Sequence, residues 1–82
     1  MKLSAEITMY PLQENYREKI QAFIDELAHH SQIERQTFPT CTVLMGEYDV
    51  VMGVIGEMMK WSHQTLGKAV FLVKFLPGYE AL

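Results

Sequence analysis

The chain has 82 residues, 49% hydrophobic and 21% charged, with a net charge of −3 at pH 7. A chain this short fits one domain spanning 1–82, and such a domain buries only about 60% of the surface its unfolded chain exposes, so support from a second subunit is expected. The composition excludes disorder, the acidic balance gives no basic footprint for nucleic acid or an anionic membrane, and the single cysteine, Cys41, excludes an internal disulfide.

The opening Met-Lys-Leu-Ser-Ala-Glu lacks the apolar core of a signal peptide, and the longest apolar run, Ala69 to Val73, is too short to cross a bilayer. A cytoplasmic protein is expected.

In chain order, Leu3, Ala5, Ile7 and Met9 alternate with Ser4, Glu6 and Thr8, the period of a strand with one buried face; Tyr10 and Pro11 end it. Tyr16, Ile20, Phe23, Ile24 and Leu27 then form one helical stripe, with Gln13 or Asn15 near the start and His29 and His30 in the last turn. The polar alternation from Gln32 to Phe38 suits an edge strand, closed by Pro39. Thr40 to Asp49 is where the period changes. Its strand predicts Cys41, Val43 and Met45 on one face and Thr40, Thr42 and Leu44 on the other, Gly46 marks a backbone break, and Asp49 is placed to cap a second helix. That helix carries Val51, Val54, Ile55, Met58, Ser62 and Leu66 inward, with Gly53 and Gly56 weakening it and Gly67 stopping it. Ala69 to Leu76 is the last strand, and Pro77 and Gly78 end it.

The order strand, helix, strand, strand, helix, strand is the split βαβ pattern: an α+β, ferredoxin-like sandwich with a four-stranded antiparallel sheet and two helices on one face. The first and third strands are central and the second is an edge. Cys41, Val43, Phe71, Val73 and Phe75 are expected under the helices with Leu3, Ala5 and Ile7. Ser4, Glu6, Thr8, Thr40, Thr42, Leu44, Val70, Leu72, Lys74 and Leu76 are expected on the open face. That mixture of apolar and polar groups suits a sheet-on-sheet contact between copies, as a homodimer or homotetramer, with a polar pocket within it.

No catalytic motif appears. His29 and His30 point about 100° apart on a helix and lack a third ligand at metal spacing, so no metal site is expected. His63, Cys41 and Asp49 can be written as a nucleophilic set, yet Cys41 is expected in the core, where a free thiol packs and does nothing else. The five glycines are dispersed and make no phosphate loop, and no cofactor is expected. Glu6, on a central strand, either pairs with Lys74 across the sheet or serves as a ligand carboxylate beside the hydroxyls of Thr8, Thr40 and Thr42. Trp61 is either a boundary residue or an intersubunit anchor.

The strand Ser4-Ala5-Glu6-Ile7 ending in Tyr10-Pro11-Leu12, the strand exit Thr42-Val43-Leu44-Met45-Gly46-Glu47 and the helix start Asp49-Val50-Val51-Met52 resemble the small YkoF-like, thiamine-binding proteins. The resemblance spans essentially the whole chain. It implies single or tandem ferredoxin-like domains whose sheets associate, and non-catalytic binding of thiamine or its hydroxymethylpyrimidine moiety in vitamin salvage or transport. Glu6, Thr42, Gly46 and Glu47 match the pattern; Met45, Met59 and Ala69 stand where it has a glutamate, a histidine and a basic residue. A ligand site formed by Glu6, Thr8, Thr42, Glu47 and Thr40 is therefore expected, in a protein that is not an enzyme. The alternatives are an oligomerisation module without a small ligand and a proton-transfer enzyme working through Glu6 or His63.

Overall fold

A computed structural model describes all 82 residues. The expected alternation builds β1 (Lys2–Pro11), and the first helical stripe builds α1 (Tyr16–Leu27). Then come β2 (Glu34–Phe38), β3 (Cys41–Glu47), α2 (Tyr48–Leu66) and β4 (Ala69–Pro77). The strands form one sheet in the order β2-β3-β1-β4, with every neighbouring pair antiparallel. This is the α+β, ferredoxin-like topology anticipated above, with β1 and β3 central.

The core lies between sheet and helices. Leu3, Ala5, Ile7 and Met9 of β1 meet Phe23 and Leu27 of α1 and Val51, Val54, Ile55 and Met58 of α2. The Phe23 and Phe71 rings tie α1 to β4 at 5.3 Å between centroids. Trp61 is half-buried against this core. No helix is long and apolar enough to cross a membrane.

The facing of β3 is the reverse of the expectation. Thr42 lies opposite Ile7, Leu44 opposite Ala5 and Gly46 opposite Leu3, so these three share the helix-covered face, while Cys41, Val43 and Met45 lie with Glu6 and Ser4 on the open face. Leu44 is 1% exposed. The physical reason lies at Gly46, where a Cβ would come 3.3 Å from Ile33 Cγ2 and 3.4 Å from Val51 Cγ2. A Cβ there would crowd Ile33 and meet Val51 of α2, so a residue without a side chain suits Gly46 on the helix-covered face, and the parity of the strand follows from it. Gly46 therefore serves packing, since its φ is not positive. Asp49 sits inside the first turn of α2, whose N-cap position is Glu47 without a side-chain cap bond. His29 and His30 lie just beyond the end of α1.

After β4 the chain turns at Gly78, with φ +75°, and recrosses the open face. Ser4 Oγ donates to the Tyr79 carbonyl and accepts from the Ala81 N–H at 2.9 Å. That crossing leaves Ser4 fully buried and Met45 5% exposed, although both belong to the open face.

Candidate functional site

The α1 stripe does not seat evenly on the sheet. Phe23 and Leu27 in its second half are buried, but Tyr16 is 48% exposed and Ile20 and Ile24 are half-buried. Between this raised half of α1 and the sheet end carrying the β2–β3 turn lies a cleft of about 450 Å³. That is within the range of small-molecule sites. Tyr16, Ile20, Phe23 and Ile24 form one wall; Ile7 to Pro11 and the turn Thr37 to Thr42 form the other.

The polar groups of the cleft are hydroxyls and one thiol. Thr42, 5% exposed, faces Thr37 across the β2–β3 ladder, and their hydroxyls lie 3.2 Å apart with either able to donate. Thr8 Oγ1 donates to the Thr40 carbonyl at 3.1 Å, which pins the turn to β1. Among the lining residues only tyrosine and cysteine can ionise. Loss of solvent, and then the charge of the neighbouring Glu6, raise the Cys41 thiol pKa above its ordinary value, so the thiol stays neutral at pH 7. The cleft is thus apolar and aromatic, with uncharged hydrogen-bonding groups at one end.

Of the five residues expected to form a site, Thr8, Thr40 and Thr42 come together in this cleft. Glu6 does not line it. Its carboxylate lies on the open face, 3.7 Å from Lys74 Nζ on the adjoining β4, as the cross-strand alternative had it. Glu47 is at the far end of β3, about 20 Å along the strand at 3.3 Å per residue. There it accepts from the N-terminal ammonium at 3.3 Å and faces Lys2 Nζ at 3.5 Å. These two cations hold its carboxyl pKa below the usual glutamate value, the hydrogen bond from the ammonium being the largest cause.

Tyr10, Tyr16, Phe38, Thr37 and Cys41 line the cleft without having been anticipated. Tyr16 was assigned to the core stripe, and its aromatic ring at the very start of that stripe was the available signal. Cys41 was expected to pack in the core, whereas it stands at the β2–β3 turn where the cleft ends. The Tyr10-Pro11 and Phe38-Pro39 pairs, each an aromatic residue at a strand end, marked the same end of the sheet.

No family model matches the chain, and no curated protein matches it. Solved structures do. A Thermotoga maritima protein assigned provisionally to thiamine biosynthesis/salvage superposes with a TM-score of 0.82 at 22% identity, over 99% of this chain and 86% of its own. The Streptococcus pneumoniae protein SP2199 gives 0.78 at 26% identity, over 96% of this chain and 89% of its own. A domain of unknown function, DUF77, from Bacillus cereus gives 0.75 at 16%, over 93% of this chain and 75% of its own. The chain is similar to these along nearly its whole length, and the likeness at such identities is one of fold.

Proposed function

We propose that the chain binds a small, flat heteroaromatic molecule of the thiamine class, thiamine itself or its hydroxymethylpyrimidine moiety, without transforming it. It does so as a cytoplasmic homo-oligomer in vitamin salvage or transport. The observation that carries this is the cleft: aromatic and aliphatic walls from α1 and β1 closing on the Thr37–Thr42 hydroxyl pair, with no ionised side chain in the lining. A fold shared with a protein placed provisionally in thiamine biosynthesis/salvage supports the choice of ligand class.

The chemistry is complementary. An aminopyrimidine presents a donor beside a ring-nitrogen acceptor, and threonine hydroxyls both donate and accept. In this reading Thr42 donates to the ring nitrogen, its partner Thr37 accepts from the amino group, and Tyr16 covers a ring face. In the same reading the ligand is held and released unchanged.

The open face supports the oligomer. Tyr10, Phe38, Val70 and Leu72 leave it with exposed apolar groups, and Glu6 and Lys74 neutralise each other near its middle. Thermal unfolding with hydroxymethylpyrimidine and with thiamine tests the ligand. At one hundred times Kd, binding adds about 2.7 kcal/mol and raises the midpoint. An unmoved midpoint at millimolar concentrations of both would overturn the ligand class and leave an oligomerisation module.

A further inference from the structure

The last strand has the composition of an interior strand but stands at the edge of the sheet. Ala69–Pro77 reads Ala-Val-Phe-Leu-Val-Lys-Phe-Leu-Pro, with Lys74 its one charge, the near-continuous apolar run usual in strands covered on both faces. Only β1 lies beside it. Val70 and Leu72 on the open face are 46% and 59% exposed, and Phe75 on the helix face is 42% exposed. The opposite edge, β2, is short, fully exposed and begins Glu34-Arg35, which is how an edge is normally kept from pairing. On β4 only Lys74, drawn to Glu6, and the terminal Pro77 are of that kind.

The register shows which backbone groups are free. Gly78 N–H donates to the Lys2 carbonyl at 2.7 Å, and Leu12 N–H donates to the Lys68 carbonyl at 3.0 Å. Alternation along the antiparallel pair then turns the even-numbered residues of β4 toward β1 and leaves the N–H groups of Ala69, Phe71, Val73 and Phe75 pointing outward. The segment after Gly78 crosses to Ser4 on β1, away from this edge.

We propose that β4 pairs antiparallel with β4 of a second copy, about a two-fold axis at Val73, so that one sheet runs through both copies. Val73 is the midpoint of Ala69–Pro77, so this register engages the whole strand, and the outward N–H and C=O of Val73 are what a hydrogen-bonded pair on the axis needs. It sets Phe71 against Phe75 of the second copy and Lys74 against its Leu72. No two lysines meet, and each Lys74 already faces its own Glu6. A two-fold axis at Lys74 would oppose two ammonium groups. The open faces then join into one wider surface.

The proposal rests on the homo-oligomer reading above and specifies its first contact. Light scattering over a dilution series, with amide hydrogen exchange followed by NMR, tests both. The expected result is a dimer in which the Phe71, Val73 and Phe75 amides exchange about tenfold or more slowly than in the dilute monomer. An oligomer in which these amides exchange as in the monomer overturns the edge pairing and leaves stacking of the open faces standing. A monomer at every concentration overturns both. Phe75→Pro removes one outward N–H and leaves the ladder to β1 intact, so it should give a folded monomer by circular dichroism and light scattering. A folded Phe75→Pro dimer overturns the pairing, and if the variant does not fold, exchange on the unaltered chain decides.

Discussion

Two residues outside the cleft lining show how single positions hold the ends of the elements. Glu47 closes the start of the chain onto the start of α2, and the Tyr48 N–H donates to the Met1 carbonyl at 2.9 Å beside it. Its carboxyl pKa is lowered by the ammonium and Lys2, so it binds its proton less readily in the fold than in the unfolded chain. Its contribution is therefore complete above the unfolded-state pKa and is lost as the pH falls through the folded-state value. In an NMR titration Glu47 should show a midpoint below that of an ordinary exposed glutamate, and Lys2→Met should raise it; an unmoved midpoint in that variant would remove Lys2 from the cause. Gly67 acts at the other end of α2. At φ +97° and ψ −159° it occupies a region essentially reserved for glycine, and a Cβ there would run into the Gln13 side chain, which donates to the Leu66 carbonyl at 2.9 Å. Gly67→Ala should cost about 1–3 kcal/mol, read as a lower denaturation midpoint in urea with an unchanged slope.

At the scale of elements, glycines with opposite roles make a sharp comparison. A Cβ at Gly53 or Gly56, both exposed on α2, would meet nothing within 4 Å, and neither residue has positive φ. Each Gly→Ala change there should raise stability by about 1 kcal/mol through helix propensity and a less free unfolded chain. Gly46→Ala should lower it by about 1–3 kcal/mol, because Ile33 and Val51 must give way. Stabilisation by all three in urea unfolding would mean that Gly46 is not set by the approach of α2. The same residue explains what could be read from the chain. Element order, sheet order and the facing of β1 and β4 followed from periodicity, because Leu3, Ala5 and Ile7 alternate cleanly and Phe71, Val73 and Phe75 match them across the ladder. Periodicity failed in β3, where Cys41, Val43 and Met45 are as apolar as Leu44, and the crowding of Gly46 by Ile33 and Val51 marks the buried face instead. Thr8, Thr40 and Thr42 were legible as hydrogen-bonding residues of a strand end. The cleft itself was not, because it exists through the lift of the first half of α1 from the sheet, and the spacing of Tyr16, Ile20 and Ile24 is the same whether a helix seats or stands off.

At the scale of the molecule, the cleft and the free edge occupy separate parts of the fold. The cleft is lined by β1, α1 and the β2–β3 turn, with no residue of β4. The two are joined through the β1–β4 ladder, where Tyr10 lies opposite Val70, and through the Phe23–Phe71 ring contact. One copy therefore supplies every group proposed to hold the heterocycle, and assembly contributes surface rather than ligand contacts. If so, a folded, monomeric Phe75→Pro chain should bind hydroxymethylpyrimidine with the affinity of the unaltered protein, within about a factor of two, the scatter that non-additivity of a few tenths of a kcal/mol allows. Thr42→Val should do the reverse, leaving the assembly unchanged while it deprives the ligand of a hydroxyl and strands that of Thr37. With a hydrogen bond worth about 0.5–1.5 kcal/mol, affinity should fall roughly twofold to twelvefold. Titration calorimetry on the two variants separates these effects: loss of binding in monomeric Phe75→Pro would show that a second copy completes the site, and unchanged binding in Thr42→Val would move the ligand off the hydroxyl pair.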